Sequence, residues 1–357
     1  MRRIHVIGAG PCGSIAAICA QRNSAQVVIS EEHPQAGYPE NCSGLFSVDG
    51  LCALRPFVDH RRIQINPIRG AILDFCQERI EVRRRNPVAY VCDRAKMDQL
   101  LSEKAEGEGA KINFNERIRS SFRSQNIIAA DGPLSNTARH FGFPRIRRFA
   151  ATLQARFNHR CEQSDMVELY FSNSRFPGFF AWVIPRSEDE AEFGIGVEVP
   201  HRAEEAWKRL LKMKKISDAP KPKGALIPLE ARSQTSRRIG SRNVLLVGDA
   251  AGQVKSTTGG GVIFGSSCAT IAGARFDDPL RYEFEWRLRY GADLAMHSWL
   301  HNHLAGLDDR GMASLGRRLK KLNMDDYLSE KGHMDKPTNM MGPDLMAHIL
   351  KNIAGIV

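Results

Sequence analysis

The stretch His5-Val6-Ile7-Gly8-Ala9-Gly10-Pro11-Cys12-Gly13-Ser14 decides the fold. His5 to Ile7 reads as a short apolar strand, and Ser14 to Arg22 carries the helical spacing of small and apolar residues. Between them lies a G-x-G-x-x-G turn. Gly8 permits the tight turn, Gly10 lets a pyrophosphate approach the backbone, and Gly13 allows close packing of helix on strand. The helix N-terminus then turns its N–H groups and the positive end of its dipole toward an anion. A second strand, Gln26 to Ser30, ends at Glu31, where a carboxylate can accept hydrogen bonds from a ribose. This β-turn-α-β opening predicts a dinucleotide-binding α/β domain. Alone, it does not separate FAD from NAD(P).

Composition narrows the class. The chain has 357 residues, 42% hydrophobic and 25% charged, too apolar for a disordered protein and long enough for about two domains. No stretch reaches the ~18 apolar residues of a membrane span. The longest candidate, Val262 to Ala274, is broken by Gly265, Ser266 and Ser267. The N-terminus has a charged start but no long apolar run, so no signal peptide is expected. Eight cysteines, with no Cys-x-x-Cys pair, suit buried free thiols in a reducing compartment. His297 and His301 stand one helical turn apart, as metal ligands can, but only Asp293 lies near in sequence, and no metal is expected. The net charge of +11 favours anionic partners. Basic clusters at Arg83-Arg84-Arg85, Arg145 to Arg148, Lys212 to Lys215 and Arg317 to Lys321 come without a nucleic-acid motif, so nucleic acid is not expected among the partners.

A second glycine-rich motif resolves the cofactor. Val244 to Val247 is an apolar strand running into Gly248-Asp249-Ala250-Ala251-Gly252. In FAD enzymes of the p-hydroxybenzoate hydroxylase fold, such an aspartate binds the ribityl chain. Thr257-Thr258-Gly259-Gly260-Gly261-Val262 is expected to start a helix whose N–H groups face flavin N1 and O2 and stabilise reduced flavin. A plain N-cap is the simpler reading of Asp249 alone; two such motifs at opposite ends of the chain favour FAD. Asp131-Gly132, after the Asn126 to Ala130 strand, is a third matching element. From about residue 150 the texture changes to short alternating strands, Thr152 to Phe157, Met166 to Phe171, Phe180 to Ile184 and Glu192 to Val199. Lys221 to Gly224 reads as a linker or turn, and Tyr38 to Ser47 as a loop. The fold expected is therefore α/β and α+β. A Rossmann-like FAD domain (1–149, completed by 239–278) is interrupted by an antiparallel β substrate domain (150–238) and followed by a helical region (279–357).

The sequence resembles the geranylgeranyl reductase family of flavoproteins, especially its archaeal branch acting on membrane lipids. The resemblance rests on Pro39-Glu40-Asn41-Cys42-Ser43-Gly44-Leu45, on Ala89 to Arg94 with Met97-Asp98, on Phe176 to Pro185, on Gly248 to Val262 and on Asp335-Lys336-Pro337-Thr338. It implies FAD contacts at Cys12, Glu31, Cys42, Ser43, Gly44, Arg94, Ile118, Asp249, Gly260, Gly261 and Val262, beside Gly8, Gly10 and Gly13 of the turn. It implies reduction of isolated alkenes in a geranylgeranyl chain of an isoprenoid lipid. Such an alkene has no carbonyl to polarise, so catalysis rests on positioning at the flavin, a proton donor and exclusion of water. Cys42 is the catalytic candidate for the proton, its thiol kept protonated by an apolar site; the plainer reading is that Cys42 only positions FAD. Phe179, Phe180 and Trp182 are expected to line the substrate pocket. Two positions depart from the family pattern. Phe180 stands where a tyrosine is expected, which removes a hydroxyl, and Ser256 replaces a proline.

The external electron donor stays open between NAD(P)H and a ferredoxin, whose acidic surface would suit the basic chain. A peripheral position on the cytoplasmic membrane leaflet is expected from the charge, with anionic lipid as partner. The apolar spacing in Leu345 to Ile353 is that of a helix that closes the tunnel, meets the membrane or packs on the core. Two other classes compete: a flavin monooxygenase or halogenase on the same fold, and a non-catalytic flavin- or lipid-binding protein.

Overall fold

The computed structural model describes residues 2–340 and 342–354. The predicted opening forms as parallel strands Arg2–Ile7 and Ala25–Ser30, joined by the Pro11–Arg22 helix. The last four residues of the first strand are buried, as a parallel strand covered on both faces requires. Asn126–Ala129 pairs parallel with Arg2–Ile7, and Lys111–Asn113 with Ala25–Ser30. Arg242–Leu246 then joins Asn126–Ala129 in parallel and forms a hairpin with Ser236–Ile239, completing six strands. The chain thus leaves this sheet after Ala129 and returns to it at Ser236, two residues before the expected end of the inserted domain.

The chain also leaves the first sheet between Ser30 and Lys111, and a seven-stranded sheet draws its strands from both excursions. Its order is Lys223–Pro228, Phe149–Asn158, Glu190–Glu198, Ala181–Pro185, Met166–Phe171, Gly70–Phe75 and Glu78–Arg83. Every pairing is antiparallel except that of Met166–Phe171 with Gly70–Phe75. Two expectations need correction here. The Gly70–Phe75 and Glu78–Arg83 pair, read with the first 149 residues, belongs to this sheet. A two-stranded ribbon is marginal in water and takes the nearest open edge, which its own sequence does not specify. Lys223 and Gly224, read as linker, begin an edge strand. Their backbone pairs with Gln154 and Leu153, and Pro228 is tolerated because an edge leaves an N–H side free.

A third sheet of Leu45–Ser47, Ala89–Cys92 and Gln64–Ile68 connects the other two. It turns the end of the stretch expected as loop into a strand. The helices Pro279–Ala305, Asp309–Lys321, Met324–Lys331 and Pro343–Ala354 follow. The helical expectation extended to residue 357, and residues 355–357 lie outside the described residues. Of the eight cysteines, Cys19, Cys92 and Cys268 are buried and Cys52 is exposed, so only part of the set is core.

The opening turn is built to a tight tolerance. Gly8 has φ +99°, and a Cβ placed on Gly13 would stand 1.9 Å from the Gly8 carbonyl oxygen. That oxygen is backbone, pinned between strand and helix, and cannot swing aside. Gly13→Ala is therefore expected to lower stability by about 2–3 kcal/mol, the upper part of the overpacking range. Urea unfolding of the two proteins checks it; a midpoint matching the parent would refute the packing account.

Candidate functional site

The turn and the second glycine motif, remote in sequence, meet in space. A Cβ on Gly248 would lie 2.7 Å from the Cys12 sulfur, and one on Gly265 2.6 Å from it. Gly261 approaches the Asp249 carboxylate in the same way, at 2.8 Å. Two helices thus bring their N-termini to one place, Pro11–Arg22 with Gly10 before it and Val262–Ala274 with Gly261 before it. Neither has a side-chain cap. Their first-turn N–H groups need an external acceptor. A Cβ on Gly10 would meet nothing within 4 Å, so the backbone there faces open space. These features fit a pyrophosphate at the first helix and the polar edge of a flavin at the second.

Asp249 lies on the wall of a large cavity, and burial, the largest cause, pushes its pKa up to about 6; the Arg94 guanidinium acts against this. Among the described residues its carboxylate oxygens take no hydrogen bond. That unsatisfied acceptor suits a chain of hydroxyls. Arg94 makes a two-pronged pair with Asp98, Nη2 to Oδ2 at 2.6 Å and Nε to Oδ1 at 3.0 Å, one helical turn on. Burial pushes the Cys12 thiol up to about 12, with the Asp249 charge adding to it, so Cys12 is an uncharged packing group.

The cavity has a volume of about 1260 Å³, beyond the ~300–1,000 Å³ of ordinary ligand pockets. Cys42, Ser43, Gly44, Arg94, Asp249, Gly260, Gly261 and Val262 line it, and so do Phe179, Phe180 and Trp182. Phe179 and Phe180 stack with ring centres 4.4 Å apart, and Trp182 is 5.7 Å beyond Phe180. The lining also includes Arg83, Arg84 and Arg85, of which the first and last are exposed. The cavity therefore has an apolar wall, with Phe179 close to Gly259 ahead of the second helix, and basic residues exposed at its rim.

Other sequence candidates fall elsewhere. Gly8, Gly10, Cys12, Gly13 and Glu31 sit beside the cavity and outside its lining. The Glu31 carboxylate accepts from the Ala9 N–H at 2.7 Å and the His33 N–H at 3.0 Å, and so fastens the turn. It retains lone pairs for a ribose. Ile118, implied by the resemblance as an FAD contact, lies outside any strand. It is buried with Ile7, Ile127 and Phe141 over the parallel sheet, where an apolar side chain gains more than at a polar cofactor. Asp131 is engaged in capping, accepting from Ser135 Oγ at 2.6 Å and the Thr137 N–H at 2.9 Å. His297 is buried against Thr257, 2.6 Å away, and burial lowers its pKa to about 4. Cys42 is not in wholly apolar surroundings. Its sulfur accepts the Gly44 N–H at 3.5 Å, and the Arg94 guanidinium is beside it.

Sequence reasoning missed three features. Gly194 and Gly196 make room for the aromatic wall, since a Cβ there would stand 2.1 Å from Trp182 and 2.2 Å from Phe179. A Gly-x-Gly inside an alternating strand was the available signal. Lys255 and Asp335, both buried, form an ion pair at 2.6 Å that ties the C-terminal segment to the cavity. Arg156 joins Glu192 to Glu40 beneath Cys42. No sequence spacing marks either pairing.

The model of one family, described as FAD binding domain, matches residues 2–267. The chain belongs to that FAD-binding family. Its relatives include a digeranylgeranylglycerophospholipid reductase of Methanocaldococcus jannaschii, 26% identical over 88% of this chain and 90% of the relative. Digeranylgeranylglycerophospholipid reductase 2 of Methanothermobacter thermautotrophicus is 28% identical over 89% of this chain and 91% of the relative. Among solved structures, a geranylgeranyl bacteriochlorophyll reductase-like protein of Thermoplasma acidophilum superposes with a TM-score of 0.76, at 22% identity, over 99% of this chain and 96% of that one. PqsL of Pseudomonas aeruginosa, a probable FAD-dependent monooxygenase, has a TM-score of 0.68 at 17% identity, covering 89% and 99% of the two chains. The fold is thus that of the p-hydroxybenzoate hydroxylase type, and FAD is the cofactor.

The raised Asp249 pKa has a sign that can be checked. An acid with a pKa near 4 when unfolded and about 6 when folded is ionised at a cost to the native state above that window. The cost is absent below pH 4 and complete above pH 6. Asp249→Asn should therefore stabilise the flavin-free protein at pH 8, by about 1–3 kcal/mol, and change little at pH 4. It should also weaken FAD binding. Thermal melts at both pH values with a flavin titration test the pair of effects; destabilisation at pH 8 would overturn the assignment.

Proposed function

We propose that the protein is an FAD-dependent reductase that saturates C=C bonds of geranylgeranyl chains in archaeal-type isoprenoid membrane ether lipids or their precursors. One observation carries this reading. A single cavity of about 1260 Å³ is lined by the residues proposed to hold the flavin, by Cys42 and by an aromatic wall suited to an isoprenoid chain. The names of the relatives at nearly full length support the same substrate class.

The first-turn N–H groups of Pro11–Arg22 hold the pyrophosphate, Asp249 the ribityl chain, and Ser43, Gly44 and Gly260 to Val262 the ring system. Reduced FAD supplies the hydride when bound. Phe179, Phe180 and Trp182 hold the chain and keep water out, which an unpolarised alkene requires. Phe180 has no hydroxyl to donate, so the proton for the second alkene carbon falls to Cys42. The thiol lies between the Gly44 N–H and Arg94, a polar setting that fixes the sulfur in place. NAD(P)H and ferredoxin remain the two donor classes in this proposal.

Anaerobic reduction with dithionite followed by addition of a geranylgeranyl lipid tests the reaction. Flavin reoxidation should match a gain of two hydrogens per flavin in the lipid mass. Cys42→Ala should keep its flavin and lose about 10²-fold or more in that step, as loss of a general acid does. Reduced flavin that ignores the lipid but hydroxylates or halogenates an aromatic compound with oxygen would replace this reading by a monooxygenase.

The protein also docks on anionic membranes in this proposal. Among the described residues no helix is long and apolar enough to cross a bilayer. Exposed Met346 and Leu350 stand one turn apart on the Pro343–Ala354 helix, and Met334, Arg83 and Arg85 are exposed on the cavity lining. A lipid substrate must pass such a rim. Sedimentation with phosphatidylglycerol vesicles should fall as salt rises, with each lost basic contact worth about 1 kcal/mol. Binding indifferent to salt would remove the electrostatic part of the proposal.

A further inference from the structure

The loop carrying Cys42 and the aromatic wall belong to different layers, yet one ionic bridge, anchored on a buried carboxylate, spans them. Arg156 and Glu192 are directly opposite on paired strands of the seven-stranded sheet. Arg156 Nε donates to Glu192 Oε2 at 2.8 Å, and Glu192 is fully buried. The other two nitrogens of the same guanidinium grip both oxygens of Glu40, at 2.8 and 2.9 Å. Nη2 also donates to the carbonyl oxygen of Cys42 at 3.1 Å. On the far side, the other Glu192 oxygen accepts from Trp182 Nε1 at 3.5 Å. The chain of contacts thus runs from Trp182 through Glu192 and Arg156 to Glu40 and the Cys42 backbone. Trp182, Glu40 and Cys42 all line the cavity.

We infer that Arg156 is a positioning residue that sets the width of the slot between Cys42 and the aromatic wall. This rests on the role proposed above for Cys42. Three features support it. The arginine uses its whole planar fork, which gives direction as well as attraction. Burial opposes its charge, but the hydrogen bonds to Glu40 and the Glu192 charge hold its pKa above the ordinary value, so the bridge stays ionised. It grips a carbonyl and a neighbouring side chain on the loop, so it fixes the Cys42 backbone without itself contacting the thiol. A reaction that depends on placing an alkene between hydride and proton sources is sensitive to that gap.

Arg156→Lys tests the bridge because it keeps a cation against Glu192 and loses the fork. Glu40→Ala releases the loop side while leaving the Arg156–Glu192 pair on the sheet. Both variants are expected to bind FAD; Arg156→Lys should melt close to the parent, and Glu40→Ala somewhat below it, with Arg156 still paired to Glu192. Both should lower kcat for lipid reduction by about tenfold or more, with KM within about twofold, the pattern of lost positioning. Both should also change the visible spectrum of the bound flavin and speed alkylation of Cys42 by N-ethylmaleimide, read by mass of the Cys42 peptide. Parent-like kcat and alkylation in both variants would overturn the inference. So would a fall in kcat that only tracks loss of flavin or of melting temperature, since that marks a general prop. If the parent protein leaves the lipid unreduced, the reductase reading fails, while the alkylation rates still decide whether the bridge holds the Cys42 loop.

Discussion

Two helix N-termini left without caps, brought together at Cys12, are the constraint on which the rest of the structure depends. Helix ends expose N–H groups that want an acceptor, and most proteins supply one from a nearby side chain. Here the residues before the helices are Gly10 and Gly261, which have no side chain to offer. The cost of those donors is recovered only when an anionic ligand arrives. The chain leaves the parallel sheet after Ser30, returns at Lys111, leaves again after Ala129 and returns at Ser236, and the strands of the other two sheets form on these two excursions.

Charge is handled differently on the two sides of the cavity. Around the cavity three buried or part-buried cations are paired. Arg94 has Asp98, Arg156 has Glu40 and Glu192, and Lys255 has Asp335. Buried pairs add little net stability against apolar alternatives, but removing one partner is expensive, so they lock geometry. Toward the cofactor Asp249 is the exception, partly buried and with its oxygens unengaged. Burial raises its pKa, against the pull of the Arg94 charge. These three pairs are satisfied within the protein, and the Asp249 carboxylate is not.

The relation of Glu31 and Asp131 to their motifs shows how a motif residue can carry a second task. Each was legible as a cofactor element. Each also fastens local backbone, Glu31 through the Ala9 and His33 N–H groups and Asp131 through Ser135 and Thr137. A carboxylate at the end of a parallel strand lies beside the turn that follows the neighbouring strand, so turn and ligand compete for the same lone pairs. Ile118 shows the same sharing from the apolar side, being packed into a core cluster. An apolar side chain beside a sheet goes to the core, and no local pattern tells which face of the sheet that is.

What the sequence determined by itself is what depends on near neighbours. The G-x-G-x-x-G turn, the Gly-Asp motif and the strands and helices flanking them are local, set by steric rules over a few residues. So were the aromatic run Phe179 to Trp182 and the Cys42 segment, both of which line the cavity. The tertiary structure decided what needed a remote partner. Gly70–Phe75 and Glu78–Arg83 joined the second sheet, Lys223–Pro228 became its edge, and Gly194 and Gly196 became seats for aromatic rings. Arg156 read as one basic residue among many until the fold set it between two carboxylates. Backbone edges, apolar faces and single charges are incomplete objects, and what completes each lies far along the chain, where spacing carries no information.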